Sequence, residues 1–177
     1  MGLFGKLFDK KTCDICGGEI GLLGNKKLED GNCCKECAGK LSPWFNERRH
    51  STVADIKAQI DYREENRNTV AKFHTTRSFG EDMNVLLDED QQLFMVTRAR
   101  NLTEANPDVL SFSQVTGCDL DISENRTEEM REIRDKDGNT KRVSYNPPHY
   151  VYRYDFYIII RVNHPYFDEM KFKLNRN

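Results

Sequence analysis

Residues 13–16 read Cys-Asp-Ile-Cys and residues 34–37 read Cys-Lys-Glu-Cys, two cysteine pairs with 17 residues between them. Two residues between paired cysteines let the backbone turn so that both sulfurs reach one ion, at about 2.3 Å for zinc. Four thiolates complete the tetrahedron that Zn²⁺ prefers and leave no position for water or substrate. The pattern predicts one structural Zn²⁺, with these four ligands: Cys13, Cys16, Cys34 and Cys37.

A neighbouring cysteine, Cys33, is an alternative ligand to Cys34. If this segment enters the site as a strand, adjacent side chains point to opposite faces, so Cys33 and Cys34 do not both reach the ion. The regular two-residue spacing between Cys34 and Cys37 favours Cys34. Redox or disulfide chemistry is a second alternative for the cluster, which two repeated pairs make less favourable than zinc.

Metal binding also accounts for how so short a cysteine block can fold. A block of roughly thirty residues buries too little surface to fold alone. Zinc binding would contribute roughly 10–16 kcal/mol in comparable peptides at neutral pH. Residues 1–12 lack the apolar centre of a secretory signal, so we expect a cytoplasmic protein with reduced cysteines.

The cysteine block carries further motifs that resemble a known family. They are Cys13-x-x-Cys16-Gly17, Gly21-Leu22-Leu23, Lys27-Leu28-Glu29-Asp30-Gly31, Cys34-x-x-Cys37 and Lys40-Leu41-Ser42-Pro43. Together they resemble a bacterial zinc-ribbon-like family of domains of unknown function, numbered 4428. The resemblance continues through Ser51-Thr52 and residues 62–66, and it covers about residues 13–75. It implies zinc binding and carries no known activity.

The pattern divides the chain into four parts and predicts an α+β fold. Residues 1–12 are a tail, residues 13–48 a zinc-ribbon-like module, residues 49–75 a connecting helix and residues 76–177 a mainly antiparallel β-domain. The β-rich part loosely resembles the pleckstrin-homology-like modules of bacterial proteins. That resemblance implies an incomplete barrel.

The connecting helix has a clear start signal. Thr52 followed by Asp55 predicts a capping box, and the apolar residues Val53, Ile56 and Ile60 share one helical face. We therefore expect a helix from Thr52 to about residue 66 that packs one stripe on a neighbour. A partner-binding or dimerising helix is the alternative. A solvated surface is expected from Asp61, Arg63, Glu64, Glu65 and Arg67.

Strand signals follow from about residue 79. Residues 85–87 and 93–97 flank a four-residue hairpin loop, and Asp137-Gly138 marks a second hairpin. The apolar residues 156–160 suit a central strand covered on both faces. One buried face per strand is expected from two alternating sets, Cys118, Leu120 and Ile122, and Met170, Phe172 and Leu174. Cys118 is thus expected to be a small buried hydrophobe.

Aromatic side chains share one face of the central strand. Tyr152, Tyr154 and Phe156 alternate with polar neighbours, so they should line the core or an open groove. Because an exposed aromatic patch of several hundred Å² is rare in a monomer, an open groove predicts a partner or a second copy of the chain.

Composition excludes several function classes. Lysine and arginine total 27 against 29 acids, so the net charge of −2 does not indicate a strongly basic nucleic-acid binder. The longest strongly apolar stretch, residues 156–160, is too short to cross a membrane as a helix. Walker loops, nucleophile elbows and metalloprotease helices are missing from the sequence. We therefore expect no enzyme, no catalytic residues and no cofactor besides zinc.

These observations favour a non-enzymatic interaction or adaptor protein that binds an unidentified protein. Weak, salt-sensitive nucleic-acid binding through the zinc ribbon is the first alternative. Its charges would come from Lys26, Lys27, Lys35, Arg48 and Arg49, with Trp44 and Phe45 as stacking residues. Glu19, Glu29, Asp30 and Glu36 offset most of that charge. Recruitment to a membrane surface through Leu3, Phe4 and Phe8 is the second alternative.

Overall fold

The cysteine-rich part of the chain folds into two small hairpins and a short helix. The computed structural model describes residues 11–176, so residues 1–10 of the predicted tail lie outside the described residues. The elements are β1 (Lys11–Thr12), β2 (Glu19–Ile20), β3 (Lys26–Lys27), β4 (Asn32–Cys33) and α1 (Lys35–Gly39). Strand β1 pairs with β2, and β3 with β4, both antiparallel.

Helix α2 (Val53–Lys72) begins where the sequence predicts and extends further. The backbone N–H of Asp55 donates to Thr52 Oγ1 over 3.2 Å, and the N–H of Thr52 donates to Asp55 Oδ2 over 2.9 Å. The hydroxyl and N–H of Thr52 hold the pKa of Asp55 below its usual value. The capping box is confirmed. The helix continues to Lys72 because the charged residues after Ile60 are compatible with helical backbone.

The buried stripe of α2 is partly polar, which the sequence pattern did not predict. Its members are Ile56, Gln59, Arg63, Asn66 and Val70, spaced by three or four residues. Ile56 packs with the cysteine-rich core, and Val70 packs with Met95 and Val109. The assignment of Arg63 to a solvated surface is wrong, because its side chain is 9% exposed and pairs with a buried carboxylate.

The rest of the chain forms two antiparallel sheets and a short helix. The elements are β5 (Arg77–Phe79), β6 (Asn84–Asp88), β7 (Leu93–Thr97), α3 (Leu102–Ala105), β8 (Val109–Ser111), β9 (Val115–Arg134), β10 (Thr140–Val162) and β11 (Glu169–Lys173). One sheet has the order β5-β6-β7-β8, and the other has the order β11-β10-β9. The predicted mainly antiparallel β-structure is confirmed. Within residues 11–176 the two sheets do not close into a barrel.

The four-stranded sheet is covered on both faces. Alternate side chains of a strand point to opposite faces. Met95 accordingly packs against Val70 of α2, while Phe94 and Val96 join the core formed with the three-stranded sheet. The main core consists of Phe94, Val96, Leu110, Ile160, Val162, Phe167, Met170 and Phe172. The protein therefore has a helix, a four-stranded sheet and a three-stranded sheet in layers.

The first predicted hairpin connects β6 to β7, and Asp88 organises its turn. The fully buried carboxylate of Asp88 accepts hydrogen bonds from the N–H of His74 at 2.9 Å and the N–H of Gln91 at 3.0 Å. Turn chemistry thus accounts for this acidic residue.

Strands β9 and β10 extend past the layered core as a two-stranded ribbon. Ile160 is 8% exposed, whereas Leu120 is 57% exposed and Tyr152 is 48% exposed. The alternating strands were predicted correctly, but the burial predicted for Cys118, Leu120 and Ile122 is wrong, because these residues are exposed. Tyr152 and Tyr154 are exposed as well, so of the two placements expected for the aromatic face the core is wrong, and the open groove stays a prediction. Cys118, Leu120 and Ile122 are exposed because β9 is the edge strand of its sheet, and the main core covers β10 and β11 but includes no residue of β9. Tyr152 and Tyr154 are exposed because they lie beyond the stretch from Tyr157 to Arg161 where β11 pairs with β10.

Ile56 should contribute measurably to stability because its side chain is fully buried between α2 and the cysteine-rich core. We expect Ile56→Val to lower the free energy of unfolding by about 1 kcal/mol, through the lost methylene group and the small cavity left behind. Urea denaturation followed by circular dichroism measures it.

Ile60→Val is the matched control, because it makes the same chemical change at a half-buried position of the same helix. Its cost should be clearly smaller. Equal losses in the two variants would show that Ile56 is no better packed than Ile60.

Candidate metal centre

Four cysteine sulfurs converge beside the first hairpin. The ligand-type atoms of Cys13, Cys16, Cys34 and Cys37 all lie within 4.8 Å of one another, and the sulfurs of Cys16 and Cys34 are 3.9 Å apart. A tetrahedral ion with metal–sulfur bonds of about 2.3 Å requires sulfurs about 3.8 Å apart. The group therefore has the spacing and the donor chemistry to hold one metal ion.

Local backbone geometry brings the two pairs together. After the first pair, Gly17 adopts a φ of 74°, and its N–H donates to the carbonyl of Cys13 over 2.8 Å. This left-handed conformation favours glycine. In the second pair, Cys34 is the N-cap of α1, and the N–H of Cys37 donates to Cys34 Sγ over 3.3 Å. The turn and the helix cap thus aim both pairs at the same point.

The sulfurs differ in their tendency to ionise. Burial disfavours the Cys13 thiolate, but backbone N–H groups of Cys16, Cys34 and Ile15 outweigh it and lower the pKa of Cys13 to about 6. Burial and hydrogen bonding to the other three sulfurs raise the pKa of Cys37 well above its usual range. A bound cation must displace the remaining thiol protons, so metal binding at this centre releases protons.

Cys33 lies outside the group of four. Its thiol donates to the carbonyl of Cys34 over 3.4 Å, and its fully buried side chain packs with Leu28 and Ile56. Burial, together with repulsion from Cys13 and Cys34, raises the pKa of Cys33 to about 11. Cys33 therefore behaves as a neutral core residue. The identity of the ion as zinc stays a prediction.

A buried ion pair connects the cysteine-rich part to the β-structure. Arg63 Nη1 of α2 donates to Asp108 Oδ1 over 2.7 Å, and Asp108 has a side chain with no exposed area. Ser42 Oγ donates to Asp108 Oδ2 over 2.8 Å, while the N–H of Ser42 donates to Gln59 Oε1 over 3.2 Å. Arg63 Nε also donates to the carbonyl of Lys40 over 3.3 Å. Three separate segments thus meet at one carboxylate.

Two asparagines extend this network along α2. Asn66 Nδ2 donates to Asn106 Oδ1 over 2.9 Å, and Asn66 Oδ1 accepts from the N–H of Val109 over 3.1 Å. Asn106 adopts a left-handed φ of 46° after α3 and donates to the carbonyl of Arg63 over 2.7 Å. Sequence analysis missed this cluster. The sequence does contain a signal for it, because the buried residues are spaced by three or four positions, as on one face of a helix: Ile56, Gln59, Arg63, Asn66 and Val70. Three of these five residues are polar, so the pattern was not recognised as a buried face.

An apolar groove of about 520 Å³ lies next to this cluster. Its walls include Trp44, Met83, Val96 and Phe172. Trp44 packs edge-on against Phe172, with ring centroids 6.3 Å apart, and Phe45 packs against the cysteine-rich core. Both aromatics are half-buried in these contacts, which does not support the prediction that they stack on nucleic-acid bases.

Four of the five predicted cationic side chains surround a second concavity, of about 670 Å³. They are Lys26, Lys27, Arg48 and Arg49, with the acidic Glu29 beside them. Arg48 is tied to this place because its Nη1 donates to the carbonyl of Lys27 over 2.5 Å. Lys35, the fifth, instead lines a separate concavity beside Cys16 and Cys34.

The described residues do not settle the membrane alternative. Leu3, Phe4 and Phe8 lie outside residues 11–176. Of the helices within that range, none is both long enough and apolar enough to cross a membrane.

Comparison with known proteins bears on the cysteine-rich part. Neither a curated protein nor a solved structure matches the chain. The likeness of the β-rich part to pleckstrin-homology-like modules therefore stays a prediction. Residues 12–59 match the family model described as Domain of unknown function (DUF4428), as the motifs of this segment predicted. Over residues 12–59, which include all four cysteines of the centre, the chain is similar to the DUF4428 family.

Proposed function

We propose that the protein is a non-enzymatic adaptor whose cysteine-rich module is held together by one structural Zn²⁺. The convergence of four cysteine sulfurs within 4.8 Å carries this proposal. Four thiolates fill a tetrahedral zinc site, so neither water nor substrate finds an open position. Such a site stabilises a fold and does not activate a nucleophile.

The apolar groove is the surface on which we place the partner protein. Its wall from Trp44 belongs to the cysteine-rich module, residues 13–48, and its wall from Phe172 belongs to the three-stranded sheet. Pro43 and Pro107 also line it, and each is the sequence neighbour of one residue of the Ser42–Asp108 hydrogen bond. A partner side chain in this groove would contact both parts of the protein, so binding would depend on the folded module.

Capturing proteins of the native host that become chemically cross-linked to this chain tests the adaptor proposal. Ala105 is exposed and lines the groove, so Ala105→Trp should fill it and abolish capture of a specific protein. Ala54→Trp places the same side chain on an exposed position of α2 and should leave capture unchanged. Equal capture by both variants would contradict the claim that the partner binds in the groove. If the wild type captures no specific protein, the adaptor role itself is contradicted.

Nucleic-acid binding is a second candidate, supported by the cationic concavity. The structure gathers Lys26, Lys27, Arg48 and Arg49 there, while Glu29 reduces the local charge. Fluorescence anisotropy with labelled DNA and RNA at two salt concentrations tests it, with anionic vesicles as a parallel probe of membrane recruitment. Under the adaptor proposal we expect only weak binding that salt abolishes. Saturable binding at physiological salt that Arg49→Glu removes would favour this second candidate instead.

A further inference from the structure

The β9–β10 ribbon leaves one backbone edge of β10 open. Strand β9 pairs with β10 along most of its length, while β11 pairs with β10 only from Tyr157 to Arg161. Within residues 11–176, no strand pairs with the other edge of β10 over residues 150–154. Isolated two-stranded ribbons are marginally stable in water, so a ribbon of this length has reason to gain another strand.

Between Tyr150 and Ile160, even-numbered residues of β10 direct their backbone groups to the edge that β11 occupies further along and that is open at residues 150–154. The N–H of Leu174 donates to the carbonyl of Phe156 over 2.8 Å, and Asn175 Nδ2 donates to the carbonyl of Tyr154 over 2.9 Å. Backbone groups alternate between the two edges of a strand, so Tyr150 and Tyr152 present their N–H and C=O groups on the same side. These are the groups that a further strand would use.

The unpaired edge of β10 is limited at both ends by residues that cannot donate a backbone N–H to a further strand. At one end, Pro147 and Pro148 have no N–H to donate. At the other end, Phe156 already donates its N–H to Asn175 Oδ1 over 3.0 Å. A pairing strand is therefore confined to the few residues between these two limits.

The two edges of the ribbon differ in how they resist pairing. Charged side chains protect exposed edges, and β9 carries many of them. They include Asp119, Asp121, Glu124, Arg126, Glu128, Glu129, Arg131, Glu132 and Arg134. Residues 150–154 of β10 read Tyr-Val-Tyr-Arg-Tyr, with one charge and a high preference for strands. The β10 edge is thus the unprotected one.

We propose that two copies of the chain pair antiparallel through this edge, about a twofold axis at Tyr152. In that register Tyr152 lies opposite Tyr152 of the second copy, and Tyr150 lies opposite Tyr154. Tyr150 and Tyr152 then pair through outward-facing N–H and C=O groups. Tyr154 pairs through its N–H and through its carbonyl, which shares its acceptor capacity with Asn175 Nδ2. Such a twofold contact is self-complementary and closes the assembly at a dimer.

Shifting the twofold axis by one residue in either direction makes the strand pairing less favourable. Moving the axis to Val151 sets Tyr154 opposite Pro148, which has no N–H. Moving it to Arg153 sets Tyr150 opposite Phe156, whose backbone groups are already bonded, and sets two arginines opposite each other. Like charges directly opposite destabilise a strand pair.

Side chains also match in the Tyr152 register. Three tyrosines from each copy form one continuous aromatic face, which accounts for their exposure in a single chain. On the other face, Asp155 lies opposite His149 of the second copy, and Arg153 lies opposite Val151, so no like charges meet. The surface that a single copy leaves exposed is complementary to itself.

Sedimentation equilibrium of the full chain tests the dimer, with proline variants at two matched positions. Tyr152→Pro removes one N–H from the open edge, where proline is tolerated in an edge strand, and should weaken dimerisation at least about tenfold. Arg126 is directly opposite Tyr152 in the ribbon, so Arg126→Pro makes the same change at the β9 edge. It should leave the dimer intact.

Disulfide trapping gives a second readout that does not depend on the stability of the proline variants. In a Cys118→Ser background, Tyr152→Cys should form a covalent dimer on mild oxidation. Directly opposed, hydrogen-bonded strand residues have Cα atoms about 5.5 Å apart, which a disulfide spans. Arg126→Cys is the control and should stay monomeric on denaturing gels. A monomeric wild-type chain at high concentration, or trapping through Arg126→Cys instead, would overturn the proposal.

Discussion

Arg63→Met is expected to lower the free energy of unfolding by about 3–5 kcal/mol. The substitution leaves the Asp108 carboxylate, which has no exposed area, without its charged partner. It also removes the hydrogen bond from Arg63 Nε to the carbonyl of Lys40. Chemical denaturation followed by circular dichroism and by tryptophan fluorescence would measure the loss, with Trp44 reporting on the neighbouring groove.

Two further variants isolate the buried charge as the cause. Arg67→Met removes an arginine whose ion pair with Glu64 is half exposed, and it should cost under about 1 kcal/mol. Adding Asp108→Leu to Arg63→Met should recover much of the loss, because no uncompensated charge then stays buried. If Arg63→Met were as stable as Arg67→Met, the network would not hold the layers together.

Cys34→Ser is expected to cost the cysteine-rich module its metal and its fold. Metal binding contributes roughly 10–16 kcal/mol in comparable peptides, more than so small a module can replace. Hydrogen exchange should show residues 13–48 unprotected while the two sheets stay protected. The hydrogen bond from Ser42 to Asp108 should also be lost or weakened, because Ser42 lies within the module.

Cys118→Ser is the matched control for this prediction. Cys118 is an exposed cysteine on β9, far in sequence from the other five. Its replacement should leave metal content and hydrogen exchange unchanged. Retained protection of residues 13–48 in Cys34→Ser would show that the module folds without its metal.

The features that the sequence predicted correctly depend on local chemistry. Cys13 and Cys16 are joined by a turn that Gly17 permits, and Thr52 with Asp55 caps α2. Each of these signals lies within a few residues of the chain. A pattern can be read from sequence when the residues that form it are neighbours.

The features that the sequence did not predict depend on contacts between segments that are far apart in the chain. Arg63 is charged and lies among charged neighbours, so only the approach of Asp108 makes its burial favourable. Similarly, Leu120 and Tyr152 alternate as residues of a buried strand face do, but the main core includes neither the edge strand β9 nor the part of β10 around Tyr152. Alternation predicts a strand and its two faces, and tertiary contacts decide which face is buried.

Elemental analysis of the full chain, purified without added metal, tests the structural zinc site most directly. Inductively coupled plasma mass spectrometry should find one zinc per chain in the wild type and in Cys33→Ser, because Cys33 lies outside the group of four sulfurs. The Cys34→Ser variant should contain none. A wild type without stoichiometric zinc, or a Cys33→Ser variant that loses it, would contradict a structural zinc held by Cys13, Cys16, Cys34 and Cys37.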